Sequence, residues 1–282
     1  MARLALLGTG LLGSGMVRRF LKHGTPVTVW NRTADKAHAL EKDGAVAADS
    51  PAKAVQGAHH VHLVLSEDRV VDSVVEQVAP ALEPGAIVID HSTTLPEQTK
   101  DRAERMRAKG IRFLHAPVFM SPLMAENGVG LMLVSGAQKE VDEVRAELEG
   151  MTGEVWYLGE RPDLAANYKL YGNCMLFAII GGVSDVIAMA RANGVDAVEA
   201  FTLFSKFQPG NVIAARGPKM ARGENTPPMF TIEMARKDVR LMTGAADGRP
   251  LVVLPAIAKR MDELIAEGGA DLDITAIAPE PA

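Results

Sequence analysis

The hexapeptide Gly8-Thr9-Gly10-Leu11-Leu12-Gly13 constrains the fold most, because it stands between an apolar run, Arg3–Leu7, and a stretch of helical periodicity. At a strand-to-helix junction this spacing gives each glycine a task. Gly8 permits a tight turn, Gly10 lets backbone amides approach a pyrophosphate, and Gly13 lets the helix pack against the strand. A helix N-terminus also attracts an anion. A sharp turn without a ligand needs the same glycines, so the strand-turn-helix context carries the inference. Gly8, Gly10, Leu11, Leu12 and Gly13 are the expected contacts.

The rest of the first half repeats the theme. Short apolar runs at Val27–Asn31, His62–Leu65, Ile87–Asp90, Arg112–Pro117 and Gly130–Ser135 alternate with polar helical segments. Such a rhythm predicts βα units around a mainly parallel sheet. After Glu160 the pattern changes: Pro162-Asp163 opens a helix and no strand-like run follows. The expected architecture is α/β. A Rossmann-type, doubly wound domain (1–160) precedes an all-α domain (161–282), joined by a long interdomain helix over 163–192. Further helices are expected at Asp196–Ser205, Asn211–Arg216, Thr231–Ala246 and Leu254–Glu267, a loop at Gly223–Pro228, and a frayed end from Ile274 to Ala282.

Composition narrows the partners. The net charge of -5 comes without a long basic run, which speaks against a nucleic-acid binder. The single cysteine, Cys174, allows no internal disulfide, as expected in a reducing, cytoplasmic setting; it is expected to be a buried structural thiol. Leu4–Leu7 is too short for a secretory segment. The apolar stretch Cys174–Ala190 is broken by Gly181-Gly182, Ser184 and Asp185, so the expectation is a buried helix rather than a membrane span.

The second strand ends at Trp30-Asn31-Arg32-Thr33, where an NAD site commonly places an acid for the ribose diol. Arg32 stands there instead. Its planar guanidinium suits a 2′-phosphate, with Asn31 and Thr33 as further donors, so NADP is the expected cofactor. Leu65 and Ser66, at the third strand's end, and Thr93 join the cofactor-contact set. Lys169 and Asn173 are four apart and share one face of the long helix, where both can grip one carbonyl. As ammonium, Lys169 can donate a proton to a carbonyl oxygen during hydride transfer, and burial lowers its pKa.

Four separated motifs resemble the β-hydroxyacid dehydrogenase family, relatives of 6-phosphogluconate dehydrogenase and 3-hydroxyisobutyrate dehydrogenase. They are the Gly8–Met16 turn, Asp90-His91-Ser92-Thr93, Ala116-Pro117-Val118, and Lys169 with Asn173, together with a late Lys237-Asp238 pair. The resemblance implies a loop near the nicotinamide at Ser92 and Thr93, a substrate loop starting at Ala116, Lys169 and Asn173 as catalytic pair, and Lys237 near the cofactor. It also implies a homodimer or homotetramer acting on a small-molecule substrate. One stretch departs from the family. Where Ser-Gly-Gly usually cradles a carboxylate, this chain has Phe119-Met120-Ser121-Pro122, so Phe119, Met120 and Ser121 line an apolar substrate site. This loop is similar to that of imine reductases, which generally replace the lysine retained here. The leading expectation is an NADP-dependent carbonyl reductase, the second an imine reductase, and a third, of another class, a non-catalytic dinucleotide-binding scaffold. His59-His60-Val61-His62 lacks a neighbouring acid or cysteine in sequence, so a metal site is not expected.

Overall fold

The computed structural model describes residues 3–279. In the first unit, β1 (Leu4–Leu7), β2 (Val27–Trp30), β3 (Val46–Ala47), β4 (His60–Leu63), β5 (Ile87–Asp90) and β6 (Arg112–His115) run parallel in the order 3-2-1-4-5-6. β8 (Gly130–Ser135) lies antiparallel to β6 and to β7 (Val118–Phe119), and β9 (Gly153–Gly159) runs parallel to β8. The order reverses between β1 and β4, which opens a crevice at their carboxyl ends. Alternation along β1 feeds two cores. Leu4 and Leu6 pack with Val27, Val29, Ile87 and Ile89 on one face, Ala5 and Leu7 with Val61, Leu63 and Val88 on the other.

The helices lying wholly within this unit, among the described residues, are α1 (Leu11–Lys22), α2 (Ala34–His38), α3 (Pro51–Ala54), α4 (Asp68–Val78), α5 (Pro96–Ala108), α6 (Pro122–Asn127) and α7 (Gln138–Thr152). The expected strands form, the third of them two residues earlier, at His60–Leu63 instead of His62–Leu65, so that Leu65 lies in the loop after it, and three more appear. β3 and β7 are two residues long, below any periodic signal. β9 is framed by glycines that read as turn punctuation; its pairing with β8, rather than its own pattern, makes it a strand.

The remaining helices are α8 (Leu164–Ala192), α9 (Ala197–Ala200), α10 (Asn211–Ala221), α11 (Ile232–Ala245) and α12 (Leu254–Ala266). The chain divides into compact units Met1–Asn173 and Cys174–Ala282, so the start of α8 groups with the sheet, later than the change of pattern at 160. Buried Ala165 and Ala166, and the bond from Ala165 N to Ser135 Oγ, tie that start down. The second unit has its own core of Ile232, Ala235, Val239, Leu254, Met261 and Leu264.

Two expectations are corrected here. The apolar stretch of α8 is not buried: Phe177 is 67 % and Ile180 55 % exposed, and Cys174 is exposed as well. Apolarity alone does not separate a core helix from one with an unpartnered face. The helix is long and apolar enough to cross a membrane by length and composition, with 17 % of its most apolar window buried. The end of the chain also differs, for Ile274–Ile277 form a 3-10 turn in which Thr275 and Ala276 are buried. Residues 280–282 lie outside the described residues.

The polar interruption in α8 has a structural cause. The Asp185 carboxylate is buried and accepts from the backbone N–H groups of Val252, Val253 and Leu254, at 2.5, 3.0 and 3.0 Å, where α12 begins. It caps that helix from a distance and meets its positive end. Asp185→Ala leaves these donors unsatisfied and costs about 3 kcal/mol of stability, whereas Asp185→Asn, which keeps one acceptor oxygen, costs about half as much. Urea unfolding followed by helical circular dichroism checks the ordering; equal stability of parent and alanine variant removes the capping role.

Candidate active site

The crevice between β1 and β4 is built by its glycines. Gly8 has φ +107°, and a Cβ there would lie 2.1 Å from the Val64 carbonyl oxygen. A Cβ on Gly13 would lie 1.9 Å from Gly8 O, so the first turn of α1 closes on the turn that precedes it. Gly10 differs: nothing lies within 4 Å of its Cβ position, and no side chain caps α1 there. The chain is pinched where backbone must meet backbone and open at the helix N-terminus, as a diphosphate requires. These residues fit a dinucleotide.

Asn31 serves this turn from within. Its Oδ1 accepts from Thr9 N at 3.1 Å and its Nδ2 donates to Thr33 O at 3.0 Å, so much of its capacity locks β2 to the glycine turn instead of facing outward. Arg32 and Thr33 are exposed beside it. They border a cleft of about 610 Å³ with Gly8, Gly10, Leu65 and Ser66. Lys36 and Arg69 line it too, which the sequence analysis missed. Lys36 stands one helical turn beyond Arg32, a signal that was available; Arg69 starts a different helix, and only the fold brings it near.

Ser92 is buried in the β5–α5 loop. Its hydroxyl accepts from Leu65 N at 2.9 Å and its own N–H donates to Asp90 Oδ1 at 2.9 Å, so it joins two cleft loops. Thr93, next to it, is exposed. Burial raises the Asp90 carboxyl, but His115 and Ser92 outweigh it and hold the group below the ordinary value.

Lys169 and Asn173 lie half-buried on α8. Lys169 Nζ donates to Val118 O at 2.8 Å and sits 4.1 Å from the centre of the Phe119 ring. Cation–π contact and the carbonyl hold the head group, and burial lowers its pKa from the ordinary 10.5. The ring reaches this place because Gly172 has no side chain: a Cβ there would be 2.3 Å from Phe119 Cζ. The departing loop is thus fitted to this helix. Met120 is half-buried beyond Phe119, and Ser121 caps α6, its Oγ accepting from Met124 N at 3.2 Å. The hydroxyl expected to face substrate spends a lone pair on that cap. Lys237 belongs to the second unit, on α11, where it pairs with Asp238 at 2.7 Å. Among the described residues no three His, Cys, Asp or Glu side chains form a set able to hold a metal ion.

The family description "NAD binding domain of 6-phosphogluconate dehydrogenase" matches residues 3–159, and "NAD-binding of NADP-dependent 3-hydroxyisobutyrate dehydrogenase" matches 165–280. Glyoxylate/succinic semialdehyde reductase 1 of Arabidopsis thaliana is 28 % identical over 282 residues, with 97 % of this chain and 96 % of the relative covered. An NADH-dependent oxidoreductase of Aspergillus ustus is 29 % identical over 276 residues, 94 % of each chain. The structure of an imine reductase of Streptomyces aurantiacus superposes with TM-score 0.88 at 25 % identity, over 98 % of both chains. The chain also matches the cytokine-like nuclear factor N-PAC of Xenopus tropicalis at 26 % identity over 87 % of its own length, and spans only 46 % of that protein. Glycine cradle, sheet order and both matches agree: the chain is an NAD(P)-binding oxidoreductase fold and belongs to the β-hydroxyacid dehydrogenase family.

Proposed function

We propose that this protein is an NADP(H)-dependent reductase of small carbonyl compounds in which Lys169 supplies the proton. The observation that carries the reading is the Lys169 ammonium, half-buried, shifted toward neutrality by its surroundings and held by Val118 O and Phe119 at fixed distance. The nicotinamide cofactor, when bound, supplies hydride to the substrate carbon. Gly8 to Gly13 and the α1 N-terminus hold its diphosphate, and Leu65, Ser66 and Thr93 border its path. Lys169 Nζ then gives a proton to the carbonyl oxygen, and in the reverse direction the neutral amine takes it back. Asn173, one turn on, orients that oxygen.

Arg32, Lys36 and Arg69 together support NADP. Three cations lining one cleft suit a 2′-phosphate and have no counterpart task on a ribose diol. Arg32→Ala is expected to weaken NADPH by about 1.5–3 kcal/mol, roughly 10- to 150-fold, with little change for NADH. Titration of both cofactors by nicotinamide fluorescence checks it, and equal losses for both remove the assignment.

A second reading, imine reduction, rests on Phe119, which stands in the sequence where the family usually has Ser-Gly-Gly and whose ring packs against Lys169, and on the likeness to the Streptomyces reductase. NADPH oxidation with glyoxylate, succinic semialdehyde and a pyrroline separates the two. Turnover of either aldehyde supports the carbonyl reading, of the pyrroline alone the imine reading, and tight NADPH binding without turnover across a wide panel a scaffold role. The proposal includes a homo-oligomer in the cytoplasm, supported by the exposed apolar Phe177, Ile179 and Ile180 and by the free thiol of Cys174. Light scattering tests the assembly.

A further inference from the structure

Behind the substrate loop, a chain of hydrogen bonds runs through the sheet with no part in the chemistry described so far. His60 Nδ1 and His62 Nε2 meet the two oxygens of Glu147, each at 2.9 Å; His62 Nδ1 meets His91 Nε2 at 2.9 Å; and His91 Nδ1 meets the carbonyl oxygen of Ala116 at 2.7 Å. The two rings His62 and His91 are nearly coplanar, 7° apart, and both are buried. Ala116 begins the segment whose Val118 carbonyl holds Lys169.

Donor bookkeeping fixes the protons. A carbonyl can only accept, so His91 donates from Nδ1. A buried His91 is neutral, which burial and the neighbouring His62 enforce by pulling its pKa to about 3, so its Nε2 accepts. His62 must then donate from Nδ1 to His91, and its Nε2 faces a carboxylate. The His62–Glu147 pair therefore holds one proton more than a neutral imidazole beside a carboxylate. Removing that proton leaves His62 with one N–H. If it stays on Nε2, toward Glu147, the Nδ1 lone pair faces His91, whose proton moves to Nε2, and the Ala116 carbonyl then faces a lone pair. The tautomers shift along the chain and the last bond is lost.

We propose that His91, His62 and Glu147 are positioning residues that clamp Ala116, and through it the Val118 carbonyl that holds Lys169, and that the clamp is set by a proton shared at the Glu147 end. The inference rests on the catalytic role given above to Lys169. Other charged groups face the chain. On β4 and α7 they are His60 and Glu143; on β5, β6 and α5, Asp90, His115 and Arg102, the last two at 3.7 and 3.8 Å from Asp90. From α1, Phe20 packs on the His62 ring, while Arg19 and His23 border a cavity of about 310 Å³ that Glu147 also lines. Glu147 is 18 % exposed, so the proton has a route to water at that end.

Amide exchange of peptides covering 116–121 and NADPH-dependent turnover, both on the whole protein, test the clamp. His91→Leu should raise loop exchange and lower kcat at least about tenfold, with the NADPH dissociation constant within about twofold. His91→Asn, whose amide donates to the same carbonyl, should recover most of both. Glu147→Gln can donate or accept, so it serves a neutral His62; intrinsic-rate-corrected loop protection, which in the parent falls as pH rises, should become flat in this variant. Unchanged exchange in His91→Leu, equal loss in His91→Asn, or a pH dependence that Glu147→Gln leaves intact overturns the clamp. Glu147→Gln carries the test alone should His91→Leu not fold. An active Lys169→Met overturns the catalytic reading instead, and the exchange results still decide the clamp.

Discussion

Lys169→Met is expected to lower kcat by at least about 10³-fold at saturating substrate, within the range for loss of a positioned proton donor, while the NADPH dissociation constant stays within about twofold. Methionine keeps the apolar stem against Phe119 and removes only the ammonium, and Lys169 Nζ bonds to Val118 O rather than to the glycine turn. The two quantities therefore separate. Arginine is no substitute, because it keeps the charge but does not release its proton near neutrality. The pH dependence follows from the downward shift of Lys169 that burial causes. With Lys169 in the proposed role, reduction needs the ammonium and is expected to decline as pH rises through the lowered pKa, whereas oxidation needs the free amine and is expected to gain over the same interval. Stopped-flow measurement of single-turnover NADPH oxidation checks the loss, and residual reduction within tenfold of the parent would assign the proton to another group.

Which features were legible in the sequence depended on how local they are. The glycine turn announces itself because its demands fall within six residues, and the structure shows why each glycine stands where it does. Helical spacing was enough to put Lys169 and Asn173 on one face of α8, where both lie half-buried. Three things were hidden. The Val118 carbonyl is a backbone atom and has no letter in the sequence. Glu147 completes the histidine cluster from 85 residues beyond His62, where no local pattern in the sequence connects the two. Asp185 looked like an interruption of an apolar run until α12 supplied its donors. Ser121 and Asn31 show the converse, since residues read as ligand contacts are partly engaged in holding their own loops.

Acid should weaken the first unit well before ordinary carboxylates titrate. His91 is pushed from 6.5 to about 3, by burial first and by His62 second. The fold therefore refuses a proton that the unfolded chain accepts, and stability falls as pH drops below 6.5 until it reaches about 3. One proton corresponds to about 1.4 kcal/mol per pH unit, or about 2.5 kcal/mol between pH 7 and pH 4.5. Glu147 then adds to the slope. Burial raises its carboxyl, but the bonds from His60 and His62 prevail and bring it from 4.5 to about 2, so its contribution is present above 4.5 and is lost as pH falls toward 2. Asp90, lowered from 3.8, joins only in that more acidic range. Trp30 and Trp156 both belong to the first unit, so urea unfolding followed by tryptophan fluorescence reads this unit at each pH. His91→Asn removes the titrating ring and should flatten the limb between pH 6.5 and 4.5 while leaving the steeper one below it. A parent protein with no slope in that upper limb would mean that the folded state accepts a proton on His91, which the bond from its Nδ1 to Ala116 and the bond its Nε2 accepts from His62 do not allow.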